Sequence, residues 1–222
     1  SAKKRLSLQA SANLLIQVCD ALDEAHARGV VHRDLKPENI MVYSTRHGET
    51  MAKVLDFGIA KILDSPNSEE AKLTSAGCVF GTPEYMSPEQ ARGGEIDART
   101  DLYALGVLMY RMVTGKLPFS SGSPVELVTK HLTETPLPPG EIVESLPVEL
   151  ETLILRLMQK KPGDRPHSAL DVRNELTALK QSLPDSIAPL KGEIQSAGGA
   201  EGETDQPTSP DGFESSNGYE EE

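Results

Sequence analysis

The segment from Asp101 to Val113 most constrains the fold of this chain. Its apolar residues recur at helical intervals but cover most of the circumference: Leu102, Ala104, Leu105, Val107, Leu108 and Met109. A helix that is apolar on nearly every side is buried on every side, so other elements must surround it. Apolar periodicity predicts those elements as a helix that begins near Leu8 and ends at Gly29, and as helices at 124–132, 147–160 and 168–180.

Two short apolar runs predict strands at 40–43 and 51–55, with a turn at 46–49 between them. The polar run from His32 to Asn39 precedes this hairpin and Asp56 follows it, so the two should lie close in space. Residues 59–90 have little periodicity and many Ser, Thr, Gly and Pro, which predicts a long loop. The predicted fold is therefore mainly α with a short β-hairpin, an α+β class.

The composition changes near Pro184. Residues 185–222 contain ten acidic residues and a single lysine, a charge of −9 out of −12 for the whole chain. We therefore predict a folded domain at 1–183 and an acidic, Gly/Ser/Pro-rich disordered tail at 184–222.

The rest of the chain carries a charge of −3 and has no basic stripe, so we expect no nucleic-acid partner. No apolar run reaches ~18 residues, which predicts no membrane segment within this chain. Two cysteines make no disulfide framework, and the expected compartment is the cytoplasm.

The polar residues around the hairpin have the spacing that phosphoryl transfer requires. Asp34 and Lys36 lie two residues apart on one loop, so a carboxylate and an amine can face one site. Asn39 adds a neutral oxygen ligand, and Asp56 adds the anionic oxygen that a divalent cation prefers. Gly58 permits an unusual backbone angle directly after this turn.

These residues belong to longer motifs: the run from His32 to Asn39, Asp56-Phe57-Gly58, and Gly81-Thr82-Pro83-Glu84-Tyr85. Through them the chain resembles the C-terminal lobe of a eukaryotic-type (Hanks-type) serine/threonine protein kinase. The segments at 56–61 and 85–90 are similar to those of bacterial members. The resemblance covers about residues 8–180 and implies the C-terminal lobe of the protein-kinase fold, followed by a tail outside it.

The resemblance implies ATP and Mg²⁺ as cofactors and serine or threonine hydroxyls of proteins as substrates. Asp34 would be the catalytic base, Lys36 would neutralise the transferring phosphate and bind ATP, and Thr82 would bond both. Asn39 and Asp56 would hold the metal and thereby the nucleotide. The cofactor-binding residues are thus Lys36, Asn39 and Asp56.

Other positions of the resemblance are structural or regulatory. Glu89 would pair with Arg165, and Asp101 would cap its helix and brace the catalytic loop. His32 is expected to be a packed scaffold residue. Arg33 would receive a phosphate on Thr74 or Ser75, while a redox role for Cys78 is an alternative that we do not favour.

The sequence contains no Gly-x-Gly-x-x-Gly and no strand lysine upstream of His32, which in this family cover the ATP phosphates. We therefore expect a kinase-domain fragment that is inactive by itself. Its exposed face would bind the missing N-terminal lobe or another partner. Two alternatives are a non-catalytic interaction module and a regulator that acts through the acidic tail.

Overall fold

The computed structural model describes residues 6–57 and 82–184. Their elements in chain order are helix α1 (Leu8–Ala27), strands β1 (Ile40–Ser44) and β2 (Thr50–Val54), and helices α2 (Pro88–Ala91), α3 (Ala98–Thr114), α4 (Pro124–Thr133), α5 (Val148–Leu157) and α6 (Ala169–Lys180). The predicted class, mainly helical with a two-stranded antiparallel sheet, is confirmed.

Helix α3 is the centre of the core. Every residue from Thr100 to Tyr110 is buried, as its all-round apolar pattern predicted. Helix α5 crosses α3 at Gly106, where a Cβ atom would lie only 2.7 Å from the Cβ of Leu157. Glycine at this position therefore permits a close approach of the two helices.

Helix α1 joins the core to the hairpin. The Ser7 hydroxyl accepts the N–H of Ala10 at its start, and Gly29, with φ of +70°, follows its end. One face contacts α6, and others contact β2 and α3. The Gln17 side chain accepts the N–H of Ala52 at 2.9 Å and donates to the carbonyl of Thr50 at 3.2 Å. The hairpin is thus fixed to α1 by hydrogen bonds as well as by packing.

The hairpin register brings its two flanking segments together. Ile40 pairs with Val54 and Ser44 with Thr50 in an antiparallel ladder. The ladder continues one step beyond the strands, because the Leu55 N–H donates to the Asn39 carbonyl at 2.8 Å. The end of the His32–Asn39 segment and the Asp56 turn are consequently neighbours, as predicted.

Two sequence predictions need correction. Helix α3 begins at Ala98, not at Asp101, and its cap is Asp97, which accepts the Arg99 N–H at 2.8 Å. Residues 82–90 are not all loop, because a 3₁₀ turn forms at Pro83–Tyr85 and helix α2 begins at Pro88. Ser87 and Gln90 form a reciprocal capping box that starts α2, a local signal that the prediction overlooked.

Within the described ranges, no helix is both long and apolar enough to cross a membrane.

Candidate active site

A buried carboxylate from α3 holds the backbone of the His32–Asn39 loop. Asp101 accepts the His32 N–H on Oδ2 and the Arg33 N–H on Oδ1, both at 2.8 Å. His26, at the end of α1, contacts the same Oδ2 through Nε2 at 2.7 Å. Arg33 has φ of +69°, an uncommon conformation for a side-chain-bearing residue, so these bonds hold a strained backbone in place. The bracing role of Asp101 agrees with the resemblance, whereas His26 was missed because no motif marks it.

His32 is a scaffold residue whose ring nitrogens are both committed. Nε2 lies 2.8 Å from the Leu55 carbonyl, and Nδ1 lies 3.2 Å from the Asp34 N–H. Because Nδ1 accepts a hydrogen bond, Nε2 carries the proton and donates to Leu55. The ring is 1% exposed and meets Phe57 edge-on at 5.0 Å. His32 therefore connects the loop to the segment that follows β2, as a scaffold histidine should.

Asp34 and Lys36 face the same side because the residue between them points into the core. Leu35 is fully buried, and the backbone at Lys36 is extended, so neighbours on either side of Leu35 point away from the core together. Lys36 Nζ lies 2.6 Å from Asp34 Oδ2, and the two side chains are 20% and 40% exposed. Solvent screens this pair, so its role is one of geometry more than of stability.

Thr82 joins this pair from a distant part of the chain. Its hydroxyl oxygen accepts a hydrogen bond from Lys36 Nζ at 2.8 Å, across 46 residues of sequence. The 3₁₀ turn that starts after Thr82 fixes its backbone, because the Tyr85 N–H donates to the Thr82 carbonyl at 3.1 Å. The structure thus brings together Asp34, Lys36 and Thr82, the three residues predicted to be catalytic.

Asn39 and Asp56 supply oxygen atoms next to this group. The Asn39 amide nitrogen donates to the Asp34 carbonyl at 2.7 Å and lies 3.3 Å from Asp34 Oδ2. These bonds orient the amide so that its oxygen remains available. Asp56 is exposed, and its φ of +58° turns the chain directly after Leu55. Asp56 itself thus adopts an uncommon backbone angle, whereas Gly58, at which the sequence predicts one, lies outside the described residues.

The donor chemistry of Asn39 and Asp56 fits a magnesium ion. Both offer hard oxygen ligands, one neutral and one anionic. In the two described ranges, no group of three or more His, Cys, Asp or Glu is arranged to hold a metal. Mg²⁺ needs no such group, because it keeps several waters and completes its shell with substrate phosphates.

A second buried carboxylate fastens the segment that carries Thr82. Arg165 donates from Nη1 to Glu89 Oε1 at 2.7 Å and from Nη2 to Oε2 at 2.8 Å. Burial raises the pKa of Glu89, but the hydrogen bonds and charge of Arg165 outweigh it and hold this pKa below its usual value.

Gln90, which the sequence prediction did not single out, donates to the Arg33 carbonyl at 2.7 Å. Helix α2 is thus bonded both to Arg165 and to the His32–Asn39 loop. Thr74, Ser75 and Cys78 lie outside the described residues.

Three features together define the C-terminal lobe of a protein kinase. They are the hairpin, the loop that Asp101 holds, and the segment that the Glu89–Arg165 pair fastens. The sequence profile of the protein kinase domain matches residues 1–176, more than three quarters of the chain. The chain belongs to the protein kinase family.

Three similar curated proteins are bacterial serine/threonine-protein kinases. The serine/threonine-protein kinase pkn3 of Myxococcus xanthus is 55% identical over 187 residues, which cover 83% of this chain and 34% of that protein. Pkn1 of the same organism is 44% identical, over 82% of this chain and 25% of that protein. PknB of Mycobacterium tuberculosis is 40% identical, over 77% of this chain and 26% of that protein. The chain therefore spans a quarter to a third of the length of these relatives.

Proposed function

We propose that this chain is the C-terminal lobe of a serine/threonine protein kinase, which transfers the γ-phosphate of ATP to serine or threonine hydroxyls of proteins. The observation that carries the proposal is the contact series from Asp34 through Lys36 to Thr82, with heavy-atom distances of 2.6 and 2.8 Å. It joins a carboxylate, a cation and a hydroxyl on two segments that Asp101 and the Glu89–Arg165 pair hold in place.

In the proposed mechanism each of these side chains has one task. A carboxylate oxygen of Asp34 accepts the proton of the substrate hydroxyl as its oxygen attacks the phosphorus. The Lys36 ammonium group stabilises negative charge on the transferring phosphoryl group. The Thr82 hydroxyl holds the Lys36 ammonium in position beside Asp34, so that neither side chain has to be ordered during the reaction.

Asn39 and Asp56 are the proposed ligands of Mg²⁺, and through it of ATP. The bound ion would neutralise charge on the phosphate oxygens. Asn39 also keeps the Asp34 carboxylate oriented through its amide nitrogen. Asn39 would therefore both bind the metal and hold the proposed base, Asp34, in place.

The rest of the kinase domain is the proposed partner of an exposed apolar face. Val42 of β1 and Leu6, just before α1, are 51% and 48% exposed. Beside them lies a groove of about 380 Å³ between α1, β1 and α3, lined largely by apolar side chains. Apolar surface of this extent commonly marks an interaction site. We propose that the nucleotide-binding lobe covers this face and supplies the phosphate-binding residues that the sequence lacks.

The test compares the 222-residue chain with a fusion that places the nucleotide-binding lobe of a bacterial serine/threonine kinase before Ser1. Transfer of labelled phosphate from Mg-ATP to a protein substrate is measured. We expect no appreciable transfer by the chain alone and clear transfer by the fusion. Asp34→Asn should lower the fusion's rate at least ~10²-fold, because it removes the general base.

The matched control is Asp171→Asn, the same substitution at an exposed position in the first turn of α6, which should leave the rate unchanged. A fusion whose activity survives Asp34→Asn would contradict the proposal. A wild-type fusion that transfers no phosphate would instead favour a non-catalytic interaction module.

A further inference from the structure

Arg111 is a charged side chain at a position where the pattern of α3 predicts an apolar one. Its neighbours one helical turn earlier, Val107 and Leu108, are buried. Arg111 itself is half-buried and lines the groove between α1, β1 and α3, whose other side chains are largely apolar. A guanidinium group keeps its charge in a protein, so placing it against apolar surface is costly unless it donates hydrogen bonds. The proposed mechanism gives this side chain no task.

The partner of Arg111 is the hydroxyl group of Tyr85. Arg111 donates to it from Nη1 at 2.6 Å, across 26 residues of sequence. Tyr85 is 5% exposed, and burial raises the pKa of its phenol, so the phenol is neutral near pH 7. The bond therefore joins a cation to a neutral oxygen. Hydrogen bonds with one charged partner are stronger than those between neutral groups.

Tyr85 connects this bond to Thr82. The Tyr85 N–H donates to the Thr82 carbonyl at 3.1 Å and closes the 3₁₀ turn at Pro83–Tyr85, which packs against α3 and α4. The Thr82 hydroxyl in turn accepts a hydrogen bond from Lys36 Nζ at 2.8 Å. Three hydrogen bonds, through Tyr85 and Thr82, therefore connect Arg111 to Lys36.

The helix that carries Arg111 also holds the other half of the proposed active site. Asp101 of α3 binds two N–H groups of the His32–Asn39 loop. Asp101 and Arg111 are ten positions apart, which is ~15 Å along a helix. Because α3 is buried along most of this length, it is a rigid support for both segments. Arg111 fixes the Thr82 turn to the same support that Asp101 fixes the loop to.

We propose that Arg111 is a positioning residue, which holds the Tyr85 hydroxyl and thereby keeps the Thr82 hydroxyl on Lys36. Apolar packing keeps the Tyr85 ring in the core, but packing is not directional. The hydrogen bond at the tip of the ring fixes its direction and therefore the backbone of the turn. Without this bond the ring shifts, and the Thr82 hydroxyl loses its contact with Lys36. The effect on catalysis rests on the proposed kinase function, whereas the anchoring does not.

Anchoring is tested on the 222-residue chain by hydrogen exchange at the amides of Tyr85 and Met86, whose N–H groups close the turn. Arg111→Met keeps an unbranched stem and removes the charge and the donors, and Tyr85→Phe keeps the ring and removes the hydroxyl. Each should speed exchange at these two amides about tenfold, the effect of losing one charge-assisted bond. The amides of α5 should exchange as in the wild type, which separates local release from a general loss of stability.

The double variant and a matched control sharpen this test. Arg111→Met combined with Tyr85→Phe breaks the same bond twice, so exchange should stay within about threefold of either single variant. Arg156→Met is the same substitution at a 43% exposed position in the last turn of α5, and it should leave the two amides within twofold of the wild type. Multiplied effects in the double variant, or unchanged exchange in Tyr85→Phe, would overturn the anchoring, because packing of the ring would then hold the turn.

The catalytic effect is tested in the fusion described above. Arg111→Met should lower kcat about tenfold and leave KM for ATP within twofold, because Arg111 is not among the proposed ligands of the metal and nucleotide. Arg111→Lys keeps a cation and a donor and should recover kcat to within about threefold of the wild type, whereas Arg156→Met should change neither constant.

The outcomes separate the anchoring from the proposed function. An unchanged kcat for Arg111→Met in an active fusion would overturn the catalytic effect, and so would a rate for Arg111→Lys as low as that of Arg111→Met. An inactive wild-type fusion would count against the proposed kinase function, and the exchange rates would still decide whether Arg111 anchors the turn.

Discussion

At the scale of single residues, one buried carboxylate determines the shape of the His32–Asn39 loop. Asp101 is 1% exposed and binds two consecutive loop N–H groups and His26. In Asp101→Asn, an amide NH₂ group would replace one carboxylate oxygen and would face the N–H group that this oxygen now accepts. Because hydrogen bonds to buried charged groups are the strong ones, we expect a loss of about 2–3 kcal/mol in the free energy of unfolding of the chain.

Urea unfolding measures this loss, and Asp97→Asn is its matched control. Asp97 caps the same helix from a partly exposed position, and asparagine caps helices as well as aspartate does, so the control should change stability by less than about 0.5 kcal/mol. Equal losses in the two variants would show that charge near the start of α3 matters more than the bonds to the loop.

His131 should make the stability of the chain depend on pH. Its pKa is lowered from 6.5 to about 4 in the folded state, so the unfolded chain binds the proton more tightly. The contribution of the neutral ring is complete above pH 6.5 and is lost as the pH falls toward 4. From pH 7.5 to pH 5 the loss amounts to about 2 kcal/mol. The measurement is urea unfolding at both pH values, and His131→Gln should remove about this much of the pH dependence. A variant that loses as much stability as the wild type would contradict the assignment.

At the scale of elements, helices α3 and α5 approach each other closely where they cross at Gly106. A Cβ atom there would lie 2.7 Å from Leu157 Cβ and 2.9 Å from Met158 Cγ, so one helix must move. Gly106→Ala should therefore destabilise the chain by about 1–3 kcal/mol, although alanine favours helix formation. Thermal unfolding measures the effect. Gly163→Ala, with no atom within 4 Å of the added Cβ, should change stability little. Stabilisation by Gly106→Ala would mean that the helices separate freely.

Elements with strong periodicity were predictable from the sequence, and contacts between distant segments were not. The buried helix around Leu105 and the hairpin followed from side-chain patterns, because periods of 3.6 and 2 are local properties. Family motifs indicated Asp34, Lys36 and Thr82. The sequence did not reveal that His26 meets Asp101, or that His131 meets Tyr103, because both contacts depend on how α3 packs with its neighbours. The sequence places the start of α3 at Asp101 for a related reason: an aspartate before an apolar helical pattern is typical of a cap, whereas this carboxylate binds the His32–Asn39 loop.

At the scale of the whole molecule, the Glu89–Arg165 pair links the segment that carries Thr82 to the helical core. Arg165 is 4% exposed, and besides Glu89 it donates to the carbonyls of Arg99 and Gln159 at 2.8 Å. The Thr100 hydroxyl donates to the same carboxylate at 2.9 Å. The pair is therefore satisfied on all sides. Removing one partner would leave a buried charge, which costs more than the pair contributes relative to apolar side chains.

Because removing one partner costs more than replacing both by apolar side chains, we expect a double variant that recovers stability without recovering activity. Arg165→Met should destabilise the chain by about 3–5 kcal/mol, since it leaves the Glu89 carboxylate buried without its cation. Adding Glu89→Leu to Arg165→Met removes that charge and should recover much of the lost stability. The double variant cannot form the directed bonds that hold α2, so the fusion that carries it should remain impaired in phosphotransfer at a temperature where it is folded. Urea unfolding and phosphotransfer rates measure the two effects. A double variant with wild-type activity would mean that apolar packing alone holds the segment, and one no more stable than Arg165→Met would mean that the unpaired charge is not the main cost.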